Sequence, residues 1–354
     1  MSYWTNQPFD VSTTNEGIKI IRTDNLIKTD KLPDGFEFKT LGTDYLDEIY
    51  NLLINHYLED ENHITRLTYS RDFLYWYLKY IPSGFIIGLI YNKKLVGMIT
   101  ATFLDMIIYG KEIKVPYINL LCVQSKIRKL GFGLFLINEI KSKLYKINIS
   151  YAIFTGINSI TKSYCITKDF IVPINYPKLK EVEFLLEDIP LLPKNNNNPL
   201  HLMVISDIDI IVTKLNKFME KFDIRPYLTN ESAYHFLVPK KNIVYSFVKK
   251  NTDGNITDFI NVYKNYLYCI EKKKIISVAK ISFYFYESMT LTELITNLLD
   301  KLPSYGIDQL VFNDMADNSS INITKFSTYG NLYHFFYNVS IKETLTSKLC
   351  FYPF

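Results

Sequence analysis

Residues 117–133, YINLLCVQSKIRKLGFG, combine an apolar run, three cations and two glycines in an order suited to holding phosphate. The apolar run reads as a strand ending in polar residues, after which Arg128-Lys129-Leu130-Gly131-Phe132-Gly133 opens a predicted helix. Glycine there lets the backbone come close to a ligand, and the N–H groups of a first helical turn, which lack carbonyl partners, can cradle a pyrophosphate. Lys126, Arg128 and Lys129 add positive charge beside that turn. The same glycines would also serve as plain turn residues. Glu59-Asp60-Glu61 is an acidic cluster in a predicted loop, readable as a solvated run or as an attractor for the cationic end of a substrate. The histidines, at 56, 63, 201, 235 and 334, show no H-E-x-x-H type spacing, and no metal is expected. Cys122 has Gln124 where a helping histidine would stand, and reads as a packed thiol.

These residues need elements to position them. Leu46, Ile49, Leu53 and Tyr57 fall at helical spacing across 44–57, and a second helix is predicted over 70–80. The runs GFIIGLIY and LVGMITATFLDMII, split by Asn-Lys-Lys, read as antiparallel strands of one hairpin. A strand over 114–123 leads into a helix at 130–145 and a strand at 151–155. The stretch EDIPLLPKNNNNPLHL, 187–202, reads as a linker. Beyond it the order repeats: a helix over 207–222 with Ser206 as N-cap, strands at 242–249 and 256–263 joined by Asn-Thr-Asp-Gly, a strand at 275–286, and a helix at 291–302. The expected organisation is an arm over 1–40, one half over 41–186, a linker over 187–203 and a second half over 204–354.

Bulk properties exclude several classes. With 354 residues, 48% hydrophobic and 21% charged, the chain has a soluble globular balance. A net charge of +4 argues against a dedicated nucleic-acid binder. No apolar run reaches the ~18 residues of a membrane span. The start, MSYWTNQPFD, lacks a basic head and apolar stretch, and the four cysteines form no C-x-x-C pair, so a cytoplasmic setting is expected.

The run around Asn119 resembles the first signature of N-myristoyltransferases, Glu-Ile-Asn-Phe-Leu-Cys-Val-His-Lys followed by Lys-Leu-Arg-Ser-Lys-Arg. Ile118, Asn119, Leu121, Cys122, Val123, Lys126 and Arg128 match in register. Arg-x-x-Gly-x-Gly also resembles the phosphate-binding pattern of the wider N-acetyltransferase superfamily. The likeness runs along most of the chain. Tyr3-Trp4-Thr5-Asn6-Gln7-Pro8 resembles the family's Phe-Trp-x-Thr-Gln-Pro, and residues 32–37 its Leu-Pro-x-Gly-Phe. Tyr57, Glu59, Asp60, Arg66 and Tyr69 match the stretch Asn-Tyr-Val-Glu-Asp-Asp through Tyr-Ser. GNITDFINVY at 254–263, Ser282-Phe283-Tyr284 and Gly330-Asn331-Leu332 match further family runs.

The resemblance implies an α/β fold of two tandem N-acetyltransferase-like halves with pseudo-two-fold symmetry and a mixed, mostly antiparallel sheet. It implies transfer of myristate from myristoyl-CoA, the co-substrate, to the N-terminal glycine of target proteins, with no prosthetic group, by a monomer. Acyl-CoA contacts fall on Tyr3, Trp4, Tyr57, Cys122, Val123, Lys126, Arg128, Lys129, Leu130, Gly131, Phe132 and Gly133. The amides of Leu120 and Leu121 map to the oxyanion hole, beside Asn119, while Thr155 maps to a residue that handles the amine proton. The peptide would meet Glu59, Asp60, Glu61, Tyr69, Ser282, Gly330 and Asn331. The resemblance also implies that the carboxylate of Phe354, at the end of the apolar tail LCFYPF, serves as the base. Two departures lie on the peptide side: Ser327-Thr328-Tyr329 replaces the Gly-Asp of the second signature, and residues 169–172 lack the family's Tyr-His-Arg run. A non-catalytic acyl-CoA or lipid binder, and an N-acetyltransferase of shorter chains, are the alternatives.

Overall fold

The computed structural model describes residues 4, 7–12, 18–21, 31–60, 63–184, 197–321 and 327–351. In chain order these form β1 (Asp10–Ser12), β2 (Lys19–Ile20), β3 (Phe36–Thr40), α1 (Leu46–His56), β4 (Thr65–Thr68), α2 (Arg71–Tyr80), β5 (Ile86–Tyr91), β6 (Lys94–Ile108) and β7 (Lys111–Val123). Then follow α3 (Phe132–Tyr145), β8 (Ala152–Gly156), β9 (Cys165–Pro173), α4 (Tyr176–Glu181), β10 (His201–Leu202), α5 (Ile208–Met219), β11 (Ile224–Pro226) and α6 (Asn230–Leu237). The last are β12 (Val244–Lys250), β13 (Ile256–Cys269), β14 (Lys274–Tyr286), α7 (Leu291–Lys301), β15 (Gln309–Asn313), β16 (Ser327–Tyr337) and β17 (Val339–Lys342).

The chain divides into two compact units. One holds residues 1–165 and 333–343, the other 166–332 and 344–354. Neither is continuous in sequence, and the division falls near residue 165 rather than in the expected linker at 187–203, of which 187–196 lie outside the described residues. Proline and asparagine mark where a chain can loop, not which strands pair, so the return of 333–343 to the first unit leaves no compositional trace.

Each unit contains the same ladder. In the first, β3, β5, β6 and β7 pair antiparallel in turn, β7 pairs parallel with β8, and β8 pairs antiparallel with β16. In the second, β10, β12, β13 and β14 pair antiparallel, β14 pairs parallel with β15, and β15 pairs antiparallel with β9. In both, a helix (α3 or α7) lies between the two parallel strands in sequence, as a parallel crossover requires. The fold is therefore the expected α/β pair of similar halves.

Local chemistry explains the elements. Ser70 caps α2, its hydroxyl accepting from the Phe73 N–H at 3.0 Å. Asn92 and Lys93, with φ of 48° and 63°, turn the β5–β6 hairpin. Two expected boundaries shift. The second-unit helix starts at Ile208, and Asp207, not Ser206, ties its start by accepting from the Val204 N–H at 3.1 Å. The helix after β7 starts at Phe132, because Lys129 and Gly131 hold left-handed φ of 68° and 86°.

Each core joins the sheet to the crossover helix. Ile87, Leu89, Ile99 and Ala101 pack with Phe132, Leu136 and Ile140 in the first unit. Ile260, Val262, Ala279 and Leu310 pack with Leu294 and Leu298 in the second. Full burial of each such Leu or Ile contributes about 1.5–3 kcal/mol.

Candidate functional site

In the first unit the β6–β7 ladder breaks its register: Met98 faces Cys122, but Thr100 faces Asn119. Leu120 and Leu121 together stand opposite Ile99, a β-bulge. Leu120 has φ of 50°, left-handed for a residue with a Cβ. A bulge of this kind re-aims backbone groups out of the ladder. The Leu120 N–H donates to Asn119 Oδ1 at 2.8 Å, and the Tyr57 hydroxyl donates to the same oxygen at 3.5 Å. Asn119 Nδ2 donates to the Tyr77 hydroxyl at 3.2 Å. Burial holds the Tyr57 phenol well above its ordinary range, so it stays a neutral donor. On the neighbouring β8, the hydroxyls of Thr155 and Tyr117 lie 3.4 Å apart. Tyr117 pairs with Ile153, and two residues further along each strand stand Asn119 and Thr155.

Past Val123 the chain passes through a short 3-10 turn, Ser125–Ile127, into the uncapped start of α3. No side chain caps that start, and its first turn carries no acid. A Cβ added to Gly131 or Gly133 meets no protein atom within 4 Å. Lys126, Lys129 and Leu130 are exposed around it. Arg128 is placed differently from the sequence expectation of a phosphate contact. Its Nε donates to the Val123 carbonyl at 3.0 Å and its Nη2 to the His56 carbonyl, clasping the end of β7 to the end of α1. Burial, then the Arg128 charge, lowers the His56 pKa.

At other expected acyl-CoA positions the side chains pack within the protein. Cys122 is buried, its thiol facing the His56 carbonyl at 3.3 Å, and burial pushes its pKa up to about 12. Only its backbone remains for a ligand. Phe132 is 5% exposed and stacks on Phe36 at 4.3 Å. Trp4 of the arm stacks on Phe154 at 5.8 Å. Tyr3, Glu61 and Phe354 lie outside the described residues.

The acidic cluster is largely spoken for. Glu59 accepts from Arg66 Nε at 2.9 Å and Nη2 at 2.6 Å, and lies 2.7 Å from His63 Nδ1. Burial pushes its pKa up, but these partners outweigh that and leave it lowered. Asp60 accepts from the N–H groups of Ile64 at 3.1 Å and Thr65 at 2.5 Å. Both therefore fix the loop before β4. Tyr69 is buried and stacks on Phe73 at 4.9 Å.

Of the peptide residues, Glu59, Asp60 and Tyr69 belong to the first unit, and Ser282, Gly330 and Asn331 to the second. Ser282 is fully buried in a second bulge: Ile260 faces Tyr284 and Val262 faces Ile281, so Ser282 and Phe283 oppose Asn261. Gly330 has φ of 120° and, like Asn331, is exposed.

The second unit's junction is filled from within. Asp258 Oδ1 accepts from the N–H groups of Glu287, Ser288 and Met289 at 3.1, 3.1 and 3.2 Å, and Oδ2 accepts from the Ser288 hydroxyl. Burial works against the charge, yet these bonds leave the Asp258 pKa lowered. Thr290 and Glu293 then close α7 with a reciprocal cap, Oγ1 accepting from the Glu293 N–H at 3.2 Å and Oε2 from the Thr290 N–H at 2.7 Å. The chain after β17 is bound to this unit: Cys350 N–H donates to the Ile224 carbonyl at 2.8 Å, and Leu349, Cys350 and Phe351 are buried.

Two bulged sheets with a crossover helix after each bulged strand define a tandem N-acetyltransferase-type fold. A GCN5-related N-acetyltransferase from Anabaena variabilis shares it with a TM-score of 0.50 and 10% identity, over 85% of this chain and 72% of its own. The Saccharomyces cerevisiae N-myristoyltransferase, solved with bound myristoyl-CoA, matches with a TM-score of 0.86 and 23% identity, over 97% and 93%. The family models for the N-terminal and C-terminal domains of myristoyl-CoA:protein N-myristoyltransferase match residues 18–166 and 177–349. The chain belongs to this acyltransferase family. It is 50% identical over 346 residues to a protein of Acanthamoeba polyphaga mimivirus provisionally named glycylpeptide N-tetradecanoyltransferase, covering 96% of this chain and 97% of that one. Glycylpeptide N-tetradecanoyltransferase 2 of Danio rerio is 31% identical over 372 residues, covering 95% and 74%.

Sequence reasoning missed Tyr77, whose hydroxyl meets Asn119. Nothing in the spacing of RDFLYWYLKY distinguishes it from the other buried aromatics of α2.

Proposed function

We propose that the protein transfers the myristoyl group of myristoyl-CoA to the N-terminal glycine amine of target proteins. The amine nitrogen attacks the thioester carbonyl, the carbonyl oxygen gathers negative charge, the C–S bond breaks and the thiolate of coenzyme A leaves. The observation that carries this is one strand with two features: the Leu120–Leu121 bulge, and just beyond it the uncapped glycine start of α3. Phosphates at the helix start would lay the thioester beside the bulge, where the Leu121 amide, and the Leu120 amide once it turns from Asn119 Oδ1, would meet the oxyanion. Gly131, Gly133, Lys126 and Lys129 serve the phosphates, with Arg128 holding the strand end that presents them. Thr155 and Asn119 face the incoming amine. An α-ammonium has a pKa near ~8, so a base must take its proton; the family resemblance gives that part to a carboxylate at Phe354. The peptide meets Ser282, Gly330 and Asn331. The protein acts as a cytoplasmic monomer, and the reaction draws on no metal or prosthetic group.

Mass spectrometry after mixing the protein with a Gly-starting peptide and equal myristoyl-CoA and acetyl-CoA tests this. The expected product is myristoylated peptide almost alone, since each buried methylene adds about 0.8 kcal/mol of binding. Peptide acetylated as readily would favour a shorter-chain enzyme. Tight myristoyl-CoA binding with no acylated peptide would favour a carrier and sink the transferase reading.

A further inference from the structure

Four neighbouring strands of the second unit each bring one polar side chain to the same row. Asp169 on β9 pairs with Asn313 on β15. Lys280 on β14 pairs with Val311, and two residues further along those strands stand Ser282 and Asn313. Across the bulge, Ser282 opposes Asn261 on β13. The row lies on the sheet face turned away from α7, because Ile260, Val262, Ile281 and Phe312, which alternate with it, belong to the core around that helix. Asn261, Ser282 and Asn313 are fully buried, while the side chains of Asp169 and Lys280 keep 20% and 13% exposure at the row's outer end. Each of the four has a polar atom that the protein does not satisfy. The Ser246 hydroxyl donates to the Leu237 carbonyl, so its oxygen accepts from Asn261 Nδ2 at 2.8 Å and Asn261 Oδ1 is left over. The Met315 N–H donates to Asn313 Oδ1 at 3.2 Å, which leaves Nδ2 over. Ser282 Oγ and Asp169 Oδ1 have no partner among the described residues either. Lys280 Nζ stands 3.7 Å from Asp169 Oδ2, near enough for charge and too far for a hydrogen bond. Unmatched polar atoms cost stability when buried, and their gathering in one row marks a place built for a group from outside the fold.

We infer that this row reads one side chain of the acceptor peptide and selects a carboxamide, that of Asn or Gln. The inference rests on the transferase reading, in which the peptide meets Ser282. Asp169 Oδ1 needs a donor and the adjoining Asn313 Nδ2 needs an acceptor, and the two residues sit directly across from one another. A carboxamide presents an N–H and a C=O side by side, so it answers both at once and leaves a second N–H for Ser282 Oγ. A hydroxyl has a single proton to give and answers fewer of them. An apolar side chain answers none. Asp169 and Lys280 already offset each other's charge, so a charged side chain would bring an uncompensated charge to a mostly buried place. The side chain enters at the Asp169–Lys280 end. There the chain carries Asp169-Phe170-Ile171-Val172 in place of the family's Tyr-His-Arg run, so the selection made here belongs to residues of this sequence.

Gly-starting peptides with alanine elsewhere, changed one position at a time to Asn, Gln, Ser, Leu, Asp or Lys, test this with the full chain and myristoyl-CoA. At one position Asn or Gln should give a kcat/KM about tenfold above Leu, Asp and Lys, with Ser in between. Asp169→Leu combined with Lys280→Met exchanges a mostly buried ion pair for apolar side chains of similar size. That double variant should melt no lower than the unaltered protein and should shrink the preference at that position to within about twofold. Ser282→Ala removes one unpartnered hydroxyl, so it should also leave the melt where it was and narrow the same preference about threefold. No position favouring a carboxamide, Ser favoured above both amides, or a preference that survives the double variant would overturn the inference. A lowered melt with an equal loss on every peptide would make the row structural and overturn it likewise. No transfer to any peptide would remove the transferase reading, and this inference with it.

Discussion

The two units carry the same bulged strand, turn and crossover helix, and they treat the helix start in opposite ways. At α3 the turn is made by Lys129 and Gly131 with left-handed φ, no side chain caps the first turn, and the nearby charges are cationic. At α7 the Thr290–Glu293 cap closes the first turn, and just before it Asp258 draws three successive backbone N–H groups onto one carboxylate oxygen. A carboxylate in a ring of amides is what a bound phosphate would resemble. The second unit therefore carries its own anion, while the first leaves its junction uncapped and, in the proposed function, takes the phosphates of coenzyme A there. The fold supplies the same junction in both; a few side chains decide whether it is closed from within or left open.

Replacing Asp258 is the strongest way to break this comparison. Asp258→Ala takes the shared acceptor from three part-buried amides and should cost about 3 kcal/mol in urea unfolding. If the ring of amides is an anion site, 0.1 M sulfate should return part of that stability to the variant and add little to the unaltered protein. No recovery would make Asp258 a mere loop brace. The pH dependence carries a sign. The folded pKa of Asp258 lies below its unfolded value near ~3.9, so its contribution is whole above that value and is lost as pH falls through the folded pKa. Acid titration of Asp258→Asn should show a shallower loss below about pH 4 than the unaltered protein.

Gly133→Val tests the open junction. Its Cβ meets no protein atom, so the fold should survive, while the added bulk should weaken myristoyl-CoA binding about 30-fold by calorimetry, roughly 2 kcal/mol. Unchanged affinity would put the phosphates elsewhere. The smallest effect belongs to the second unit's cap: Thr290→Ala should cost about 1 kcal/mol of stability in a thermal melt and leave myristoyl-CoA affinity alone. A change in that affinity would mean the second junction is not as self-contained as its hydrogen bonds suggest.

Much of this contrast could be read in the sequence, and the unread part has a physical cause. Gly131 was legible because glycine marks a left-handed turn, whereas the equally left-handed Leu120 was not, since leucine gives no such signal. The hairpins were legible from alternation and from the Asn-Lys-Lys and Asn-Thr-Asp-Gly breaks. The cation at 128 was visible, but a guanidinium beside glycines suits backbone carbonyls as well as phosphates, and only the geometry shows that it took the carbonyls. Glu59 and Asp60 looked like free charge because their partners, Arg66 and the amides of 64–65, stand several residues further along the chain. Asp258 stood in plain sight within a matched run, yet the amides it gathers come from about thirty residues on.

The crossed strand usage has a consequence for how the protein is made. β16 and β17 bring Tyr333–Glu343 into a unit otherwise finished by residue 165, pairing with β8 through Tyr333–Tyr337 and with β1 through Ser340–Lys342. A nascent chain leaving the ribosome can assemble β3, β5, β6, β7 and β8, but β8 must wait with one edge unpaired while about 180 further residues are translated. An open edge of that kind is a template for other chains. The usual order, in which an N-terminal domain completes itself first, is closed to this topology. Fragments stopping near residue 186 should emerge from synthesis sticky and incomplete, and slow elongation through the second unit should lengthen the time at risk.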